Sequence, residues 1–220
     1  MSDLRAFAQQ QNVNRASDGT WVALRSLRDG AAIVCPWYQA LVLEGRVFHT
    51  EAPNVGAAGL TIMTTYADTS KTLFVDIPDG TASIPLKAQA GFQATGAAVD
   101  NAYAFTSDTL NGTGGTETAL TPINARRDAP ITSGATVAHT ADSETDTVTG
   151  AEYVLSQFST SQDLDATSIF PTVIDWSVAK DGFAPVILDA GSFNIVMFAT
   201  TSGTGRVAAS WAELSESVFV

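Results

Sequence analysis

Cysteine and lysine are nearly missing from this chain. A lone Cys35, in AAIVCPWY, excludes an internal disulfide and reads as a buried structural thiol. Only three lysines, Lys71, Lys87 and Lys180, occur in 220 residues. The polar surface must then be built from Ser, Thr, Asn, Gln and Gly. Two histidines, His49 and His139, stand without a second His or Cys at ligand spacing, which excludes a structural zinc site and argues against a catalytic one. Both read as strand histidines with satisfied hydrogen bonds. There is no apolar run of about 18 residues and no apolar core in MSDLRAFAQQQNVNRASDG, so neither a membrane span nor a signal peptide is expected. The G-x-S-x-G elbow is lacking, and TSGTGR (201–206) lacks the Lys-Ser/Thr of a phosphate loop, reading instead as a hairpin turn. No catalytic motif emerges, no cofactor is expected, and the chain is read as non-enzymatic.

What is present is apolar and acidic. Hydrophobic residues make up 45% of the chain and charged residues 15%, with a net charge of −12. That apolar content excludes disorder, and a chain of this length can bury roughly 70% of the surface its unfolded form exposes. Short runs rich in β-branched and aromatic residues, about twelve of them, are bounded by Gly, Pro, Asp or Asn. They include TWVALRSL (20–27), AAIVC (31–35), QALVLEGRVFHT (39–50, bent at Gly45), GLTIMTTY (59–66), TLFVDI (72–77), AYAFT (102–106), LTPIN (120–124), ATVAHT (135–140), AEYVLSQF (151–158), PTVIDWSV (171–178), APVIL (184–188) and RVAASWAEL (206–214).

In SIPLKA (83–88) Ile84, Leu86 and Ala88 share a face, and Pro85 points to an edge strand. SFNIVMFAT (192–200) is apolar on both faces and is expected to be a central strand. Beyond the N-terminus no 3.6-residue period is sustained, so the expected class is all-β, an antiparallel β-sandwich. Residues 1–20 form a polar arm, with Leu4, Phe7 and Ala8 at helical spacing behind Ser2, and residues 21–220 one elaborated sandwich. The alternative is two small β domains joined at SDTLNGTGGTET (107–118). Within it, Asn111-Gly112-Thr113 is a glycosylation sequon in form and reads as turn residues.

The acidity is concentrated in the middle: residues 88–179 carry 2 basic and 11 acidic residues, a balance of −9, while four of the eight arginines (Arg5, Arg15, Arg25, Arg28) lie in the first 30 positions. Such a field repels phosphate backbones, so no nucleic acid is expected as a partner. An Arg-bearing front end and an acidic middle favour head-to-tail contact between copies, the alternative being a solvated acidic face. Arg126 and Arg127, in LTPINARRDAPITSGATVAHT, suit a corner latch, an intersubunit ion pair, or ordinary exposure in a loop. Asp142, Glu144 and Asp146 alternate as Ca²⁺ ligands do, although Thr147 and Tyr153 break the EF-hand pattern; no metal is assigned.

The N-x-R-R-like turn with SGATVAHT, then EYVLSQF, GSFNIVMFAT and VAASWAEL, resembles small β-sandwich virion proteins of tailed DNA bacteriophages over residues 119–214. That resemblance implies a jelly-roll-like module serving as a capsid decoration or cement protein, or a head fibre. It implies a homo-oligomer, a trimer favoured, seated on a major capsid protein, with the chain located in the virion after assembly in the host cytoplasm. With no apolar span in the sequence, no membrane partner is expected. Arg5, Phe7, Arg15, Arg126 and Arg127 are the candidate subunit-contact residues. Two other readings stand beside it. One is a single-jelly-roll major capsid protein or tail component. The other is a carbohydrate-binding or adhesive sandwich using Trp21, Trp37, Trp176 and Trp211, of which Trp176 and Trp211 lie inside strand patterns and look like core.

Overall fold

The computed structural model describes residues 36–53, 59–64, 71–95, 100–111, 117–128, 131–139, 152–160, 172–200 and 203–218. The arm, with Arg5, Phe7 and Arg15, lies outside them, as do Trp21, Cys35 and the Asp142–Asp146 group.

The first described element is a helix where a strand was expected. Pro36 has φ −54° and ψ 145°, and α1 (Trp37–Leu43) follows it with Leu41 buried. Gly45, at φ 74°, closes the helix. Its N–H donates to the Val42 carbonyl and that of Arg46 to the Leu41 carbonyl, the paired bonds of a glycine-ended helix. Gly45 is therefore a stop signal, and the strand begins only at β1 (Val47–Ala52). The remaining strands are β2 (Leu60–Ile62), β3 (Leu73–Ile77), β4 (Thr81–Thr95), β5 (Asp100–Ser107), β6 (Thr118–Ala119), β7 (Ile123–Asn124), β8 (Thr136–His139), β9 (Glu152–Thr160), β10 (Thr172–Ser177), β11 (Gly191–Ala199) and β12 (Gly203–Ser215), with α2 (Val178–Asp181) after β10. Of APVIL only Ile187 makes a β-bridge, to Ser83.

Two six-stranded antiparallel sheets pack face to face as a β-sandwich. The first has the order β10-β4-β12-β1-β7, with β2 also pairing β12; the second has the order β6-β8-β3-β11-β5-β9. Between them lies one apolar cluster, including Phe48, Leu73, Phe92, Ile174, Phe193, Met197 and Trp211. β11 is central, as its two-faced apolar pattern predicts, and is buried almost throughout. Its Phe193, Ile195 and Met197 enter the intersheet core, whereas Val196 and Phe198 pack on the opposite face with Met63 and Phe105.

Two local expectations fail for reasons of register. β4 as a whole is an internal strand, not an edge, but β10 pairs it only over Lys87–Gly91; Pro85 lies beyond that ladder, pairs β12 alone and sits at a bulge, so its missing N–H removes no bond to β10. Lys87 faces Ser210 and Pro85 faces Trp211, which leaves Leu86 as the extra residue. One extra residue exchanges the faces beyond it. Ala88 therefore points into the intersheet core while Ile84 and Leu86 join a second cluster, with Leu41, Val47, Val178, Ala212 and Leu214, on the other face. The TSGTGR segment is not a hairpin turn, because β11 and β12 belong to different sheets and residues 203–206 are already strand.

Candidate interaction surface

Each sheet ends on two rims. At one, β9 and β10 lie against each other; at the other stand the two-residue strands β6 and β7. β9 is the long one. It pairs β5 on one side over nine residues and no described strand on the other. Tyr153 and Val154, adjacent and thus on opposite faces, are 46% and 50% exposed. Natural edge strands are usually blunted by Lys, Pro or shortness. EYVLSQFST contains neither residue, and its one irregularity is the bulge at Leu155.

A second exposed apolar region covers the outer cluster of the first sheet. α1 contributes Trp37 and Leu43, and the segment after α2 contributes Phe183, Val186 and Leu188. α2 ends at Gly182 with φ 84°, whose N–H returns to the Val178 carbonyl. The chain is thereby turned outward, and Phe183 is left 64% exposed. Trp176 and Trp211 are core, as their strand patterns predict; Trp37 stands edge-on to Tyr38 at 5.8 Å.

The arginine corner sits at the opposite rim from β9. Asn124, in β7, donates through Nδ2 to the Gly45 carbonyl at 2.7 Å and to the Ile131 carbonyl at 3.1 Å, and accepts the Arg126 N–H. The Arg126 guanidinium donates to Asp128 at 2.9 Å and to the Leu43 carbonyl at 3.0 Å. One arginine therefore ties the β7 corner to an orphan carbonyl at the end of α1. Its charge and hydrogen bonds hold the Asp128 carboxyl below the ordinary range. Arg127 has no ion-pair or hydrogen-bond partner among the described residues and projects as an exposed cation.

The titratable groups divide by environment. His49 Nδ1 shares a hydrogen bond of 2.9 Å with Ser210 Oγ, whereas Nδ1 of His139 is buried with no partner among the described residues, contrary to the expectation that both histidines are satisfied. Burial pushes both below the ordinary histidine value; for His49, Glu51 opposes the shift and Lys87 adds to it. A folded-state value below the unfolded value of 6.5 means that the unfolded chain takes up protons first. The contribution is complete above the unfolded value and is lost progressively as pH falls from there through the lower folded-state value. Denaturant midpoints are therefore expected to drop between pH 7 and pH 5, and a His49→Gln/His139→Gln variant to show a shallower drop. An unchanged slope in the double variant refutes the assignment.

Asn111 is fully buried, its amide engaged, so the sequon is closed in the folded chain. Sequence reasoning missed one acidic trio, Asp79, Asp189 and Glu216, whose carboxylates lie within 4.8 Å of one another. Their separation along the chain hides it. The Glu216 carboxyl is raised, chiefly by its hydrogen bond with Asp189. No helix among the described residues is long and apolar enough to cross a membrane. Compared with protein-family models and with curated proteins, the sequence matches none.

Proposed function

We propose that the chain is a non-enzymatic structural subunit of a virion, a decoration or cement protein that joins copies of itself and a major capsid protein. The observation that carries this reading is the long edge of β9, which exposes Tyr153 and Val154 and pairs no described strand on its outer side. The outward-turned N–H and C=O groups of alternate β9 residues have no strand partner among the described residues and are a template for another strand. The opposite rim offers the exposed Arg127 while β9 carries Glu152. Meeting rim to rim, successive copies make a heterologous contact that closes into a ring, which suits a trimer. The apolar residues on α1 and 183–188 supply a further face for the shell. Weak contacts repeated by symmetry then add up to firm attachment. The resemblance of residues 119–214 to phage virion sandwiches supports the particular setting.

Light scattering decides the self-association step. Wild-type protein at 100 µM is expected at about three times the chain mass of 23.0 kDa. Val154→Lys, which places a charge on the edge, is expected at the single-chain mass with an unchanged circular dichroism spectrum. Glu152→Arg and Arg127→Glu should each weaken the assembly and together restore it. A wild-type protein that runs as a single chain refutes the reading.

A further inference from the structure

We infer that the outer face of the first sheet is a binding groove for a neutral oligosaccharide, independently of the reading above. Register places the groove. Glu51 on β1 faces Ala208 on β12, Ala208 faces Gln89 on β4, and Gln89 faces Asp175 on β10. One row along the strands, His49 faces Ser210, Ser210 faces Lys87 and Lys87 faces Ser177. On the far side of the first row Arg206 faces Gly91. Glu51, Gln89 and Arg206 thus stand around a floor of Ala208 and Gly91 in a trough of ≈ 410 Å³, with the His49–Ser210–Lys87–Ser177 row continuing the same face beside it. A second cavity of ≈ 510 Å³, at the β1 edge beside residues 119–123, is lined by His49, Thr50 and Leu120 among others and shares Glu51 with it.

The wall is held in place before any ligand arrives. Gln89 Nε2 donates to Asp175 at 3.0 Å, and Lys180 Nζ donates to the same carboxylate and to the Asp175 carbonyl. Gln89 keeps a carbonyl oxygen and a second N–H for a ligand. His49 is fixed by Ser210, and its depressed pKa leaves it neutral at pH 7.

The chemistry selects the ligand. Three cations (Lys87, Lys180, Arg206) against two carboxylates (Glu51, Asp175) leave this face near neutrality in a chain of net charge −12. Interleaved charges disfavour a phosphate or a polyanion, since Asp175 stands beside Lys180 and within the field of Lys87. Planar amide, carboxylate and guanidinium groups about one strand spacing apart match donor–acceptor pairs of adjacent hydroxyls. The methyl and methylene floor accepts the C–H face of a sugar ring. Phe92 borders the trough, but its ring is buried in the intersheet core, so stacking adds nothing and binding is expected in the millimolar range.

The test is an amide-resolved NMR titration with maltohexaose, cellohexaose and mannohexaose, and with hyaluronan hexasaccharide as the charged control, each to 10 mM. At least one neutral sugar is expected to shift the amides of Gln89, Gly91, Arg206 and Ala208. Glu51→Ala/Gln89→Ala should weaken that binding tenfold or more, and Ala208→Trp, which fills the floor, should abolish it. Both variants should keep the wild-type oligomeric mass, which separates this site from the β9 edge. Absence of shifts with all three sugars, shifts confined to other surfaces, undiminished binding by both variants, or binding of hyaluronan hexasaccharide alone would each overturn the assignment.

Discussion

Replacing Asp76 with alanine is expected to lower the unfolding free energy by about 3–4 kcal/mol, among the largest effects of any single polar substitution here. The Asp76 carboxylate, on the outer face of β3, is buried. It accepts the Asn111 main-chain N–H at 3.1 and 3.2 Å and the Asn111 side-chain amide at 2.8 Å. That amide also donates to Asn194 Oδ1, and Asn194 in turn donates to Ser192 Oγ, both at 2.8 Å. Asn111, Asn194 and Ser192 are all fully buried. Without the carboxylate, two donors of Asn111 lose their acceptor in a region water does not reach, at about 1–3 kcal/mol for each group left unpaired. Asp76→Asn is nearly the same size, but it offers at most one acceptor oxygen and brings two N–H groups. It should therefore recover only a small part of the loss. The measurement is the denaturant midpoint at constant slope. A shift below about 1 kcal/mol, or full recovery with asparagine, would show that the network contributes shape rather than acceptor strength.

The same network marks where sequence reasoning stops. β3, β5, β11 and β12 were legible because alternation and two-faced apolarity report how a strand is covered, and the order of the sheets bears this out for β11. Asn111 was legible only as a residue type. Its neighbours along the chain, Gly112 and Thr113, suggest a turn, while its partners Asp76 and Asn194 lie 35 and 83 positions away. α1 escaped because seven residues are too few to express a period, and the signal that did exist, Pro36 before and Gly45 after, was read as a bend in a strand. The exchange of faces at Leu86 escaped because a bulge leaves no mark in composition.

The contact surfaces divide in the same way. The arginine corner could be singled out because two guanidinium groups in a long acidic stretch are conspicuous, and the structure places one of them on Asp128 and an α1 carbonyl. The groove could not. Its residues come from four strands at positions 49, 51, 87, 89, 175 and 206, each unremarkable in its own segment and brought together only by register. Nor does a strand sequence declare whether it lies on an edge: EYVLSQFST reads as well for the middle of a sheet as for its rim, and only the absence of a pairing partner among the described strands makes it a candidate contact surface.

Glu213 should rank with Asp76, for a different reason. Its carboxylate accepts the indole N–H of Trp211 at 2.7 Å and the Gly134 N–H at 2.9 Å, and it also accepts the Ser133 hydroxyl. One side chain of β12 thus satisfies a fully buried tryptophan of the core and pins the 131–135 segment that leads into β8. Glu213→Ala is expected to cost about 2–3 kcal/mol, combining an unpaired indole N–H with release of two loop contacts. Trp211→Phe removes the N–H together with part of the ring and should cost a similar amount through the cavity alone, about 1–3 kcal/mol. If the indole bond matters, the two losses are not additive: once the N–H is gone, deleting its acceptor harms only the loop. The double variant should then be about 1 kcal/mol more stable than the sum of the single changes predicts. Loop release has its own signature, since Glu213→Ala should speed amide exchange at Gly134 and Ala135 whereas Trp211→Phe should not. Strict additivity in the cycle, with exchange at Gly134 unchanged in Glu213→Ala, would remove Glu213 from both roles.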